Sequence, residues 1–311
     1  MQECSMTTIK ISQTGAKCSI PSSWDELSPD QVCHILQLYD KSVSLGWSLL
    51  DFNVRVLYYL MGIKYNWRSV RWEKLADKAV VAERNANVYM LCEKCLGWLL
   101  KEYDDPDAEG NEKKRVLLAY NSVVNALPSI KPGLFRRRLY GPADALQDLS
   151  FGEFRHASTA LNTFFKTHNI DDLDECIAHL YRARARRPNR AGRYVAAIDN
   201  ENITVARRRV ARLHSWQKTL IMLWLSSCIN FLQTGTVSID GEDIDMSKLF
   251  SGGKSDSSVL SCTWQDLAIE IAKEQTIGNI ERVDEEPLYS IISIMWHNHK
   301  ENKRNEKIGK A

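Results

Sequence analysis

Residues 216–232 read WQKTLIMLWLSSCINFL, and from Leu220 onwards they form the longest apolar run in this chain of 311 residues. The run has 13 residues, fewer than the roughly 18 to 20 that a helix needs to cross a bilayer. Before and into the run, apolar residues recur at the spacing of one helical face, at Val210, Leu213, Trp216 and Leu220. The stretch therefore predicts one long helix from about Ile203 to Leu232, buried in a globular protein and not in a membrane.

Capping residues mark helix starts elsewhere in the chain. Ser28 is followed by a proline and then by Gln31, so a helix is predicted from Pro29 to about Val43. Further starts are predicted after Ser48, Ser150, Asp171 and Thr263, and near Pro287. The helix after Ser48 is apolar on nearly every side and should be central.

Two more helical patterns flank a loop that contains Pro106 and Gly110, one from about Trp72 to Tyr103 and one from about Lys113 to Ala126. Alternating segments on either side of Gly15, and of Asp240-Gly241, predict two β-hairpins. The predicted fold class is mainly α, a multi-helix globular protein with a small N-terminal β-hairpin and a second short hairpin near residues 236–245.

Proline and glycine suggest the domain boundaries. Three prolines and two glycines crowd into residues 128–142, which favours a hinge over 128–149. We therefore predict an N-terminal hairpin and helical domain over 1–127 and a C-terminal helical domain over 150–299. A basic tail follows over 300–311.

Cysteine usage indicates the compartment. The eight cysteines are spread irregularly, and the N-terminus lacks the basic and apolar regions of a secretory signal. Both features are typical of a cytoplasmic protein with reduced thiols.

The candidate metal ligands are incomplete sets. Cys92 and Cys95 have the spacing of a zinc or redox pair, but they lie in a helical pattern and no second pair follows. Cys176 and His179 are one helical turn apart, with His168 near in sequence. Packed cysteines and hydrogen-bonded histidines explain the same residues, so no metal is predicted.

Nucleotide, calcium and catalytic motifs are also incomplete. The loop from Asp105 resembles a calcium loop, but Val116 stands where the bidentate glutamate belongs. Residues 251–255, SGGKS, end like a phosphate loop, yet Lys248 stands where its first glycine belongs. No GxSxG or HExxH occurs. We predict no catalytic residues, no cofactor and no enzymatic activity. A triad assembled from distant residues is the minority alternative.

Charge is concentrated in residues 182–212. This segment contains ten arginines, no lysine and only two acids, so its net charge is +8 while the rest of the chain sums to −6. Arginine forks onto carboxylates and phosphates in a way that lysine does not. We predict that the segment contacts a partner or phosphates through Arg182, Arg184, Arg186, Arg187, Arg190, Arg193, Arg207, Arg208 and Arg212. A solvated loop with no partner remains the simpler alternative.

Several motifs together resemble a known group of proteins. They are IPSSWDELSPDQ at 20–31, YGPADALQDLSFGEFRHA at 140–157, HLYRARARR at 179–187, and a Trp216-to-Trp224 spacing followed by DIDMSKLF. The chain resembles helical proteins encoded among the virion and tail genes of tailed bacteriophages and prophages of gut bacteria. The resemblance implies a tail or neck assembly factor or a virion component, located in the bacterial host cytoplasm or in the virion. The run of arginines after LYR departs from that pattern.

Two functions are therefore predicted as alternatives. The first is a non-catalytic phage structural or assembly protein that acts through contacts with other phage proteins. The second is a nucleic-acid-binding protein that uses residues 182–212 on phosphates. A basic segment in an otherwise acidic chain would also suit a homo-oligomer joined basic to acidic face.

Overall fold

The structure is a computed structural model and describes residues 7–10, 17–63, 71, 74–106, 112–133, 136–239, 241–250, 264, 269, 271 and 279–308. Most of the described chain is helix, and the strands form short antiparallel pairs. The mainly α fold class is confirmed. The chain divides into two compact units, Met1–Ser122 and Val123–Ala311.

The first unit combines helices with two hairpins. The hairpins are β1 (Thr7–Lys10) with β2 (Lys17–Ile20), and β3 (Leu100–Pro106) with β4 (Glu112–Leu118). The described helices are α1 (Pro29–Leu45), α2 (Leu49–Leu60) and α3 (Lys78–Leu96). Helix α2 packs against α1 and α3 and buries Phe52, Val56 and Leu57. The N-terminal hairpin and the helix after Ser48 are present as predicted, but Leu49 and Leu50 at the start of that helix are exposed.

The capping box at the start of α1 is also confirmed. The Ser28 hydroxyl accepts a hydrogen bond from the Gln31 backbone N–H at 3.3 Å, and the Gln31 side chain accepts one from the Ser28 N–H at 2.8 Å. These bonds satisfy two backbone donors that the first turn leaves unpaired. At the other end, Gly46 takes the left-handed conformation, with φ of 64°, which costs little without a Cβ.

The hairpin β3–β4 corrects two helix predictions. The segments predicted as the end of a helix at Tyr103 and as a helix from Lys113 to Ala126 pair with each other over seven residues. Residues 119–126 form no helix. The two paired segments on either side of the predicted break are of equal length. Pairing between them outweighs the weak helix preference of each segment alone.

The second unit is built around α4 (Phe151–Thr167) and α5 (Ile170–Leu180), which make the most extensive helix contact in the described chain. The other elements are β5 (Ser129–Ile130), β6 (Leu139–Tyr140), α6 (Asn200–Val210), α7 (Ser215–Thr234), β7 (Thr236–Ile239), β8 (Glu242–Asp245), α8 (Ser247–Phe250), α9 (Ile280–Glu285) and α10 (Leu288–Ile308). The β7–β8 pair is the predicted second hairpin. Helix α10 carries most of the predicted basic tail.

The long helix predicted over 203–232 is two helices. Helix α6 ends at Val210, and α7 begins after His214, whose backbone is extended. The His214 N–H donates to the Gln217 side chain at 3.2 Å, so a capping interaction starts a new helix there. Leu213 is buried in the connection, which explains why the apolar spacing continues through the break.

The predicted hinge over 128–149 lies within the second unit. It contains β5 and β6, and Leu139, Leu146 and Leu149 are fully buried. The phosphate-loop-like residues 251–255 fall outside the described residues, as does most of the helix predicted after Thr263, of which Trp264, Ile269 and Ile271 are described and helical. The middle of the calcium-like loop is likewise outside the described residues. Among the helices that the structure describes, none combines the length and apolarity that a bilayer crossing requires.

Candidate binding surface

The arginine-rich segment contains a narrow loop between α5 and α6. The Ala185 N–H donates to the Tyr194 carbonyl at 3.0 Å, and the Ala196 N–H donates to the Ala183 carbonyl at 2.9 Å. The two sides of the loop therefore run antiparallel, with Arg184 opposite Val195. We call residues 182–196 the arginine loop.

Arg182 begins the loop and lies inside the protein. Only 1% of its surface is exposed, and its guanidinium forms an ion pair with Glu153, which is fully buried. It also donates to the Ala196 carbonyl at 2.7 Å and to the carbonyl of His179. Arg182 thus connects α4, the end of α5 and the returning side of the loop.

Arg193 fixes the second side of the loop to the same carboxylate. Its Nη1 lies 3.1 Å from Glu153 Oε1, and its Nε lies 3.7 Å from Asp148 Oδ2. Its Nη2 donates to the Leu180 carbonyl at 2.8 Å and to the Tyr140 carbonyl at 3.2 Å. Only 3% of Arg193 is exposed, so both ends of the loop are attached to the interior.

Glu153 is held in place by the predicted capping box of α4. Its Oε2 accepts the Ser150 N–H at 2.9 Å, which leaves Oε1 for the two arginines. Burial and the neighbouring Arg193 lower the pKa of Arg182 to about 9, and burial lowers the pKa of Arg193 to about 10. Both side chains remain charged at neutral pH, and the carboxylates of Glu153 and Asp148 offset them.

This arrangement corrects the predicted contact surface. Arg182 and Arg193 were expected to meet a partner, but they are buried structural residues whose donors are used inside the protein. Sequence patterning does not separate them from their exposed neighbours, because the carboxylate that recruits them lies on a different helix.

Two further predicted contact residues are engaged at the surface. Arg190 forms ion pairs with Glu285, at 3.4 Å, and with Glu286. Arg207 lies 3.5 Å from Asp171 and 3.7 Å from Glu175. Exposed pairs of this kind contribute little stability, from about 0 to 1 kcal/mol. The neighbouring carboxylates nevertheless partly neutralise the guanidinium groups of Arg190 and Arg207.

The remaining predicted residues are exposed, and none of them forms an ion pair with a residue that the structure describes. They are Arg184, Arg186, Arg187, Arg208 and Arg212. Of the nine predicted contact residues, these five are exposed and have no ion-pair partner in the described part of the chain.

The five arginines lie in two places. Arg207 pairs with Asp171 and Glu175, so the end of α6 lies beside the start of α5 and the two helices run antiparallel. The loop leaves from the other end of α5, and that 11-residue helix is roughly 15 Å long. Arg208 and Arg212 are therefore about one helix length away from the loop, and the segment is not one continuous strip.

A second basic segment, which the sequence analysis did not single out, adjoins the loop. Tyr140 and Arg182 exchange backbone hydrogen bonds of 2.8 and 3.3 Å in an antiparallel bridge. The residues that precede Tyr140 and the residues that follow Arg182 therefore extend in the same direction from the bridge. The preceding residues include Arg136–Arg138 and the following residues include Arg184, and all four arginines are exposed. The sequence shows three consecutive arginines at 136–138, but their position next to the arginine loop depends on the pairing of Tyr140 with Arg182.

The candidate metal ligands Cys92, Cys95, Cys176 and His179 are all buried. Cys92 and Cys95 are buried along α3, and burial raises the pKa of Cys92 to about 11. His179 is buried and stacks on His156, with 5.1 Å between ring centroids. Burial lowers the pKa of His179 to about 4, so the ring is neutral at physiological pH. In the described parts of the chain, no group of three or more His, Cys, Asp or Glu side chains is arranged to hold a metal ion.

The exposed arginines can bind and orient an anionic group, since a guanidinium presents several donors in one plane. Comparisons with known proteins add no further assignment: no protein-family model matches the chain, and neither a curated protein nor a solved structure matches it.

Proposed function

We propose that this protein is a non-catalytic structural or assembly protein of the phage type, and that it acts by binding a partner through the exposed part of the arginine loop. The observation that carries the proposal is that some arginines of the loop are buried and others are exposed. Arg182 and Arg193 anchor the loop to Glu153, and Arg184, Arg186 and Arg187 extend into solvent.

The anchoring supports a binding role. Burying two guanidinium groups is costly unless both are paired and hydrogen-bonded. A loop that contacts only solvent does not need to be attached to the protein interior in this way. A fixed loop loses less conformational freedom when it binds, which favours affinity. The phage context comes from the sequence resemblance and is part of the proposal.

The test compares two variants of equal charge change. Arg186→Ser/Arg187→Ser removes two exposed charges from the loop, and Arg208→Ser/Arg212→Ser removes one from the last turn of α6 and one from the connection that follows it. Each tagged protein is used to capture partners from infected or induced host cells, and the bound proteins are identified by mass spectrometry. We expect the loop variant to lose virion or tail proteins that the other variant keeps. Equal capture by both variants would refute the assignment to the loop.

The alternative function, nucleic-acid binding, is favoured by one observation. Arg184, Arg186 and Arg187 form no ion pair with a residue that the structure describes, and such guanidinium groups suit phosphates as well as acidic side chains. Binding would then weaken steeply as salt increases. A flat salt response of the purified protein towards nucleic acid would exclude this alternative.

A further inference from the structure

We infer that Arg136, Arg137 and Arg138 join Arg184, Arg186 and Arg187 in one composite surface that binds the backbone of single-stranded nucleic acid. The inference rests on the proposed function in one respect, since it takes the arginine loop as the contact surface. It goes further by adding a second segment and by naming the class of partner.

The backbone brings the two segments together. Arg138 lies two residues before Tyr140, and Arg184 lies two residues after Arg182, on the same side of the Tyr140–Arg182 bridge. Two residues of extended chain span at most about 7 Å, so both arginines are close to the bridge. Arg136, Arg137, Arg186 and Arg187 follow on along the two chains.

The charge of this surface is uncompensated. The segments 136–138 and 184–187 contain six arginines and no acid. In the described chain, none of the six forms an ion pair. Arg138 alone has a polar side-chain partner, the hydroxyl of Ser129 at 3.2 Å. The formal charge of +6 is therefore directed to solvent, where it attracts a polyanion.

In the described residues 136–140 and 184–192, this surface has no exposed apolar centre of the kind found in protein interfaces. These residues expose no large apolar side chain. Protein partners usually bury an apolar core within a polar rim, whereas nucleic-acid interfaces are more polar and strongly positive. Phosphates therefore match this surface better than an acidic protein face does.

One aromatic side chain points to a single strand. Tyr194 faces Ala185 across the loop, and 52% of its surface is exposed. An exposed ring in the same loop as exposed arginines offers a surface on which unpaired bases can stack while their phosphates are bound. In a duplex the bases are already stacked on each other and are not available to the ring.

The experiment measures binding of a fluorescent oligothymidylate of about 20 nucleotides to the purified full-length chain. Six phosphate contacts on a single strand predict a slope of about −4 for log affinity against log salt, or roughly 300-fold weaker binding at 200 mM than at 50 mM salt. Arg136→Ser/Arg137→Ser and Arg186→Ser/Arg187→Ser should each reduce the slope by about 1.4. Arg208→Ser/Arg212→Ser, with the same change in charge, should leave it unchanged.

Stacking is tested with a matched pair of substitutions. Tyr194→Ala should weaken binding at least about five-fold, while Tyr194→Phe should retain it because the ring is kept. Circular dichroism of each variant shows whether the fold is intact, and all substituted side chains are exposed.

Three results would overturn the inference. They are absence of oligonucleotide binding at 50 mM salt, equal effects of the 136/137 and 208/212 substitutions, and binding of a duplex of the same length as tightly as the single strand. If oligonucleotide binding is absent but the loop variant still loses its partners in host cells, the proposed function stands and the acidic-protein alternative replaces the nucleic acid. Loss of both would refute both.

Discussion

Removing the negative charge of Glu153 is the most direct test of how the arginine loop is built. Glu153→Gln keeps a side chain that can accept the Ser150 N–H in the capping box, so the helix start is retained. What disappears is the charge shared by Arg182 and Arg193, both nearly fully buried. The Asp148 carboxylate stays 3.7 Å from Arg193, but it does not pair with Arg182.

The expected loss follows from leaving a buried charge unpaired, which costs about 3 to 5 kcal/mol. For a unit the size of Val123–Ala311, each kcal/mol shifts Tm by about 2 to 4 °C, so Tm should fall by about 6 to 20 °C. Urea unfolding, followed by circular dichroism, measures the free energy directly.

The matched control is Glu285→Gln. Glu285 also pairs with an arginine, Arg190, but both side chains are largely exposed, so the change should cost less than about 1 kcal/mol. A double variant, Glu153→Gln with Arg182→Met, should recover part of the loss because one unpaired charge is removed with its partner. If Glu153→Gln costs no more than Glu285→Gln, the buried charge cluster does not anchor the loop.

Three further predictions concern other parts of the chain. Burial holds the pKa of His179 near 4, against 6.5 in the unfolded chain; the unfolded state therefore takes up the proton first, and stability is lost as pH falls from 6.5 towards 4. Between pH 7 and pH 4.5, the free energy of unfolding measured by urea titration should fall by on the order of 2 kcal/mol more for the unchanged protein than for His179→Gln. Parallel pH profiles of the two proteins would contradict this prediction. Ser28→Ala removes the capping hydroxyl of α1 and should cost about 1 kcal/mol of stability, whereas Ser28→Asp should cost little; an Ala variant as stable as the Asp variant would exclude a capping contribution. Gly141→Ala would place a Cβ 2.5 Å from Tyr181 Cζ and 2.8 Å from its Oη, so Tm should fall by an amount equivalent to about 1 to 3 kcal/mol, and an unchanged Tm would show that the ring moves aside freely.

Local signals in the sequence identified much of the fold. The capping boxes at Ser28 and Ser150 and the hairpin around Gly241 were found because each depends on residues within a few positions of one another. The hairpin β3–β4 was missed because its stability depends on two segments pairing with each other, and each alone resembles a helix. The break after Val210 was missed because Leu213 keeps the apolar spacing across it.

The candidate surface was predictable only in part. The concentration of arginine was visible in the sequence, and Arg184, Arg186 and Arg187 are exposed as expected. Which arginines turn inward depends on Glu153, a helix residue far away along the chain. The contribution of Arg136–Arg138 depends on one backbone bridge between Tyr140 and Arg182. Neither long-range contact has a signature in local periodicity or charge.

Both ends of the arginine loop are attached to one carboxylate, so the residues that stabilise the loop are not the ones that contact a partner. Residues 186–192 lie between the anchored positions, where Arg190 adds only surface ion pairs with Glu285 and Glu286, and doubling the length of a loop costs only about 0.6 kcal/mol. Insertions or replacements there should therefore leave folding almost unaffected, provided that Arg182, Arg193 and Glu153 are kept. The loop is consequently a suitable place to graft other recognition sequences, and divergence of this short segment could redirect the protein to a new target while the helical scaffold stays the same.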